Sequence, residues 1–112
     1  AASDVYKRQS IVSDMSKVGY VYIVANMKRG IMYIGVTSNL VGRAWQHKNG
    51  VIDGFSKKYR TRRLVYFEAF DEISDAIARE KELKKWRRPW KIELIEKDNP
   101  GWDDLYFRIT AS

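Results

Sequence analysis

The sequence predicts an α/β domain of the α+β kind, a three-stranded, mostly antiparallel sheet flanked by helices. Three observations predict it. Two runs rich in β-branched and aromatic residues, Tyr20 to Asn26 and Ile31 to Thr37, are joined by only Met27-Lys28-Arg29-Gly30, which reads as a β-hairpin. A third run, Leu64 to Phe70, is almost wholly apolar. Between and after these runs lie stretches with helix-capping residues and apolar side chains at helical spacing. A chain of 112 residues with 45% hydrophobic and 31% charged residues is globular in character and long enough for one domain with a modest core.

Taken in order, residues 1–15 have no clear period and read as a leader or flexible arm outside the fold, with Met15 as a natural start. The domain is drawn at 16–112. After the hairpin, Ser38 and Asn39 are good N-caps for a helix from Leu40 to Lys48, and Asn49-Gly50 closes it. Val51 to Arg63 reads as a loop. In the third strand Leu64, Tyr66 and Glu68 share one face and Val65 and Phe67 the other, and its apolar character places it centrally or with both faces covered. Ser74 or Asp75 caps a second helix running from Ser74 to Trp86, with Ile73, Ala76, Ile77 and Leu83 as its apolar stripe. Pro89 cannot continue that helix but can open a third, through Lys97, with Ile92 and Ile95 inward and Glu93 and Glu96 outward. Asp98-Asn99-Pro100-Gly101 is a turn, and the apolar tail after it docks on the body.

The net charge of +7 and the isoelectric point near 9.7 favour an anionic partner, nucleic acid first. Lys57, Lys58, Arg60, Arg62 and Arg63 crowd into seven positions with no acid among them and with Phe55 and Tyr59 close by. Such a segment is either a phosphate-contacting surface or a solvated connection. The absence of cysteine excludes disulfides and thiolate zinc sites. No apolar run approaches the roughly 18 residues of a membrane span, and no secretory pattern appears. These features fit a reducing cytoplasm and no membrane.

Four polar side chains stand close together in the sequence. Tyr22 and Tyr33 lie on the hairpin, while Arg43 and His47 lie one turn apart on the following helix. Downstream, Glu80 falls inside the apolar stripe of the second helix. A carboxylate there must be partnered or face a cleft; the plain alternative is a stripe-edge residue paired with Lys84. Chemically, an arginine fork suits phosphate oxygens. One carboxylate suffices to anchor a hard divalent ion that takes its other ligands from water and phosphate. A tyrosine, with an ordinary pKa of about 10, becomes a usable base if a cation or His47 lowers that value.

The stretch from Gly19 to His47 resembles the GIY-YIG nuclease family. Val21-Tyr22 stands for the first half of the family name, whose glycine is not adjacent here, and Tyr33-Ile34-Gly35 is the second half intact. Arg43 follows Tyr33 by ten positions and His47 follows by four more, which is the family's pattern. Ala78 to Lys84 resembles the helix that supplies the metal-binding glutamate, with Glu80 rather than Glu82 as the match. Asn99-Pro100 with Trp102 and Asp104-Leu105 is similar to the end of small stand-alone members, where the asparagine supports the active site. The resemblance spans Gly19 to about Leu105.

It implies an endonuclease that hydrolyses DNA phosphodiester bonds. Tyr22 would be the general base, Tyr33 and His47 its helpers and Arg43 the phosphate clamp. Glu80 would hold one magnesium (or manganese) ion and Asn99 would support the site. Lys57, Lys58, Arg60, Arg62, Arg63 and Lys84 would contact the nucleic acid. Larger family members add DNA-recognition domains for which this chain has no room. Structure-selective or weakly specific cutting is therefore expected, in DNA repair or recombination, or together with a partner protein that supplies specificity. The alternatives are a non-catalytic nucleic-acid-binding module and an adaptor for acidic proteins. Exposed Trp86, Trp90 or Trp102 would favour base stacking; core packing is the expectation for at least two of them.

Overall fold

Backbone hydrogen bonding joins the three apolar runs into one antiparallel sheet in the computed structural model, which describes residues 18–111. The elements are β1 (Gly19–Ala25), β2 (Met32–Thr37), α1 (Leu40–Lys48), α2 (Phe55–Tyr59), β3 (Arg63–Phe70), α3 (Ile73–Lys85), α4 (Arg88–Asp98) and α5 (Tyr106–Thr110). The strand order is β2-β1-β3, antiparallel throughout. The three strands and their antiparallel pairing are as the sequence predicts. The leader read at residues 1–15 lies outside the described residues.

Two placements differ from expectation. The central strand is β1, and of the two alternatives for β3 it is the covering of both faces that holds, not the central position. The weak alternation of β1 fits that position, because Val21, Tyr22, Ile23, Val24 and Ala25 are all buried and a strand covered on both faces does not alternate. The strand β3 lies at the edge. Its register is also broken: Ile23 pairs with Tyr66 and Val24 with Leu64, leaving Val65 as the extra residue of a bulge. The bulge turns Leu64 and Tyr66 to opposite faces. Leu64 packs with Tyr22 and Val24, while Tyr66 packs with the cluster of Val21 and Ile23.

The bulge and the tail are built together. The Asn99 side-chain amide donates to the bulged Val65 carbonyl at 3.1 Å and to the Asp103 carbonyl at 3.0 Å. Leu105 N donates to the Leu64 carbonyl at 2.7 Å, and Asp104 Oδ1 accepts from Leu64 N at 3.2 Å. These bonds satisfy backbone groups that an exposed, bulged edge would leave open. Trp102, fully buried, anchors the turn.

Helices cover both faces. Glycine at position 19 lets α3 approach closely, since a Cβ there would stand 2.7 Å from the Ile73 Cα. The α3 N-cap is Glu72, without a side-chain hydrogen bond, rather than Ser74 or Asp75. Pro89 stands in the first turn of α4, as expected of a residue with no amide hydrogen to place. Ile95 is buried, but Glu96 does not face outward freely. It pairs with Arg29 of the hairpin turn at 2.8 Å and accepts from Trp102 Nε1 at 2.7 Å. These hydrogen bonds, Arg29 first, hold its carboxyl down at about 2.

Candidate active site

The face of the sheet that carries Tyr22 is covered by α1 and by the docked C-terminal segment. Asn39 caps α1 by accepting from Gly42 N at 3.0 Å, and Gly50, at φ +66°, follows its C-cap. The helix so fixed buries Leu40, Ala44 and His47 at one-turn spacing and brings His47 over the hairpin.

Tyr22 reaches the site by lying across its neighbouring strand. It is paired with Gly35 of β2, and a Cβ at that position would stand 2.6 Å from the Tyr22 Cζ. The glycine of the Tyr33-Ile34-Gly35 triplet is thus the gap through which the phenol passes. Tyr22 Oη lies 2.9 Å from His47 Nε2. Tyr22 is 1% exposed and His47 2% exposed, so this is a buried polar pair. Tyr33, half-buried, completes the cluster, its ring 6.4 Å from that of Tyr22 and 5.6 Å from that of His47.

The pair is electrostatically poised in one direction. Burial pushes the Tyr22 phenol well above its ordinary value, and the Arg43 guanidinium opposes this without cancelling it; Tyr33 and Glu80 add smaller upward pushes. This corrects the expectation of a lowered tyrosine. Burial, reinforced by the Arg43 charge, pulls His47 down to about 4. At neutral pH the structure therefore holds a neutral phenol against a neutral imidazole.

Glu80 is 4% exposed and sits in the buried stripe of α3 with Ile73, Ala76 and Leu83. Lys84 Nζ pairs with it at 3.3 Å, the only ion pair of Glu80 among the described residues. Glu80 is thus buried inside the stripe rather than at its edge, and the partner it has there is Lys84. A single buried carboxylate fits a hard divalent ion that draws its remaining ligands from water and phosphate. Among the described residues no cluster of three or more His, Cys, Asp or Glu could hold an ion by protein ligands alone.

The basic segment is not the plain loop expected. Gly54, at φ +91°, starts the short helix α2, and Arg60, in the left-handed region, ends it. Lys57, Lys58, Arg60 and Arg62 are exposed there. Lys57 has a loose partner in Asp53 at 3.6 Å, and Lys58 leans over the Tyr59 ring. Arg63 instead donates to the Trp102 carbonyl at 3.0 Å and so holds the tail. An aromatic strip runs outward from Tyr33 through Phe55 to Tyr59. Of the four tryptophans, Trp102 is core, Trp86 packs half-buried against the core cluster, and Trp45 and Trp90 are 50% and 53% exposed.

Two residues that sequence reasoning passed over complete the cluster. Ser56 Oγ lies 2.9 Å from His47 Nδ1, and Ser56 is hydrogen-bonded in turn to Thr61. Both are buried. The available signal was Gly54-Phe55 with Tyr59 four residues on, one helical turn inside a segment that otherwise reads as basic and irregular.

The sequence profile of the GIY-YIG catalytic domain matches residues 18–93. A UPF0213 protein of Pediococcus pentosaceus is 32% identical over 87 residues, 78% of this chain and 92% of that one. A UPF0213 protein of Staphylococcus saprophyticus is 40% identical over 76 residues, 68% of this chain and 92% of that one. A third, from Syntrophus aciditrophicus, is 37% identical over 87 residues, 77% and 97% of the two chains. No solved structure gives a significant match. Among the described residues no helix is long and apolar enough to cross a membrane.

Proposed function

The chain belongs to the GIY-YIG family, a nuclease family, and from that premise we propose that it is a metal-dependent DNA endonuclease of low sequence specificity. The observation that carries this reading is the buried Tyr22–His47 hydrogen bond of 2.9 Å. A buried phenol and imidazole are costly to keep for packing alone, and a neutral imidazole nitrogen hydrogen-bonded to the phenol is an acceptor for its proton.

In this reading substrate binding brings water to the Tyr22 phenol, which takes its proton as its own passes to His47 Nε2, a transfer the resting pair disfavours because burial holds both groups neutral. The resulting hydroxide adds to phosphorus on the side opposite the leaving oxygen, whose bond to phosphorus then breaks as that oxygen takes up a proton from water. Arg43, whose charge already bears on Tyr22, clamps non-bridging oxygens and stabilises the phosphorane. Tyr33 orients water or phosphate. Glu80 would hold a magnesium or manganese ion, which when bound supplies charge stabilisation at the phosphate and the leaving oxygen. Lys84, paired with Glu80, would be released toward the nucleic acid. Asn99 acts at a distance, by keeping the bulge and the tail in place. Lys57, Lys58, Arg60 and Arg62 track the backbone phosphates, a sequence-independent contact; Arg63, committed to Trp102, contributes less. Such a surface suits structure-selective cutting in repair or recombination, alone or with a partner that supplies specificity.

The test is cleavage of supercoiled, linear, single-stranded and branched DNA with magnesium, with manganese and with chelator. Parent protein should nick in a metal-dependent way. Tyr22→Phe and Glu80→Gln should each lose about 10²–10⁴-fold in rate with DNA binding largely kept. Both variants cutting like the parent would overturn the site. The second reading, a binding module on the same fold, rests on the basic surface of α2. Salt-sensitive binding without cleavage on any substrate would favour it.

A further inference from the structure

The Nδ1 side of His47 has a purpose-built partner. We propose that Ser56, backed by Thr61, is a positioning residue that locks the orientation and tautomer of His47, with Nδ1 protonated and Nε2 free to accept from Tyr22. The proposal rests on the nuclease reading for its consequence in catalysis, not for the tautomer itself.

The geometry is a chain of four buried groups. Tyr22 Oη meets His47 Nε2 at 2.9 Å, His47 Nδ1 meets Ser56 Oγ at 2.9 Å, and Ser56 bonds to Thr61. In a neutral imidazole one nitrogen donates and the other accepts, and the partner of one nitrogen decides the role of the other. If Ser56 accepts from Nδ1, Nε2 is left to accept the Tyr22 proton. In the proposed direction Ser56 donates its own hydroxyl hydrogen to Thr61 and so does not donate to Nδ1; the reverse direction, Thr61 to Ser56 to Nδ1, is the outcome that the tautomer measurement excludes.

The surrounding backbone is built to hold these two hydroxyls. Thr61 N donates to the Ser56 carbonyl at 3.1 Å, Lys58 N to the Gly54 carbonyl at 3.0 Å and Arg62 N to the Arg60 carbonyl at 2.9 Å. Arg60 takes the left-handed conformation at φ 56°, an unfavourable choice for a residue with a Cβ. It closes the turn that returns Thr61 to Ser56. The helix α2 buries only Ser56 among its five residues, so hydrocarbon burial does not explain why it forms. Its one buried side chain is the hydroxyl held against His47, with Phe55 and Tyr59 stacked outside it.

His47 is the single histidine of the chain, so a ¹⁵N-histidine-labelled sample reports on it alone. At neutral pH the parent should show one neutral tautomer, protonated at Nδ1. Ser56→Ala should convert this to a mixture or to the Nε2-protonated form, and Thr61→Val, which keeps shape and deletes the hydroxyl, should do so partially. Thr61→Ser should restore the parent pattern. On the DNA substrate that the parent cuts, Ser56→Ala should lower kcat about 10-fold or more, by analogy with removal of the orienting partner of a metal-bound histidine, with KM nearly unchanged. An unaltered tautomer pattern in folded Ser56→Ala overturns the proposal, whatever the cleavage result. A changed pattern in a protein that cuts no DNA supports the positioning role while rejecting the nuclease reading. If Ser56→Ala fails to fold, the Thr61→Val spectrum decides, and a parent-like pattern there overturns the proposal.

Discussion

Alternate residues of the central strand enter two cores that are equally buried and differently furnished. On one side Val21, Ile23 and Ala25 meet Val65, Leu83, Ile95 and Trp102, a cluster of mostly hydrocarbon contacts, beside which Glu80 is buried in the same α3 stripe as Leu83. On the other side Tyr22 and Val24 meet Leu40, Ala44, Leu64 and Leu105, and the same layer holds His47, Ser56 and Thr61 in a hydrogen-bonded chain. A core of the first kind is stabilised by every atom it buries. A core of the second kind must satisfy each buried polar group or lose stability. The contrast separates most of the proposed site, Tyr22 and His47 first, on the face that bears an avoidable desolvation cost, from Glu80, which is buried in the α3 stripe of the other.

The largest test strikes the hydrocarbon side. Ile95 is fully buried there, on a helix that carries none of the proposed catalytic groups. Ile95→Ala should cost about 2–5 kcal/mol of stability, and Ile95→Val about 0.5–1.5 kcal/mol. Thermal or urea unfolding measures both. Cleavage per folded molecule should stay at the parental level. A loss of cleavage in a fully folded Ile95→Val would show that the two faces are not separable.

The next test strikes the junction between the faces and the hairpin. Gly35→Ala puts a methyl group 2.6 Å from the Tyr22 Cζ, so the ring must move and its hydrogen bond to His47 must stretch or break. Overpacking of this kind costs about 1–3 kcal/mol. The histidine ¹⁵N spectrum should change with it, and cleavage should fall by more than the stability loss explains. Parental unfolding and parental cutting would mean that the close approach is not needed.

The sequence makes local features plain and conceals those made by distant segments. The hairpin, α1 and the spacing of Tyr22, Tyr33, Arg43 and His47 lie within one short stretch, and short-range pattern suffices for them. Glu80 and Lys84 are one helical turn apart, so their pairing is legible too. The position of β3 is not. Its apolar run suggests a central strand, yet much of its cover comes from Asn99, Asp104 and Leu105, about forty residues away, and its bulge leaves no periodic trace. Ser56 and Thr61 are hidden for another reason. A helix of five residues is too short to show a period, and two small hydroxyl residues in a basic segment look like ordinary loop. The raised phenol of Tyr22 was equally concealed, because it follows from burial across Gly35 rather than from any neighbour in sequence.

The smallest test asks whether the polar core is felt in stability. His47 ionises near 6.5 when unfolded and at about 4 in the fold, where burial, first, and Arg43, second, disfavour its cation. Between those values the unfolded chain binds more protons than the folded one, so stability rises with pH across that window. The contribution of a neutral His47 is complete above about pH 6.5 and is lost progressively as pH falls toward about 4. Below that both states are protonated and this source of slope ends. Carboxylates titrate mostly at the lower end, so the window between about pH 7 and pH 5 isolates the imidazole of a chain with a single histidine. The melting temperature should fall over that interval in the parent and stay level in His47→Gln, although the variant starts lower because Tyr22 and Ser56 lose their partner. A slope that persists unchanged in His47→Gln would place its origin elsewhere. The Tyr22 face would then tolerate a charged histidine, and the argument that desolvation holds both members of the pair neutral would fail with it.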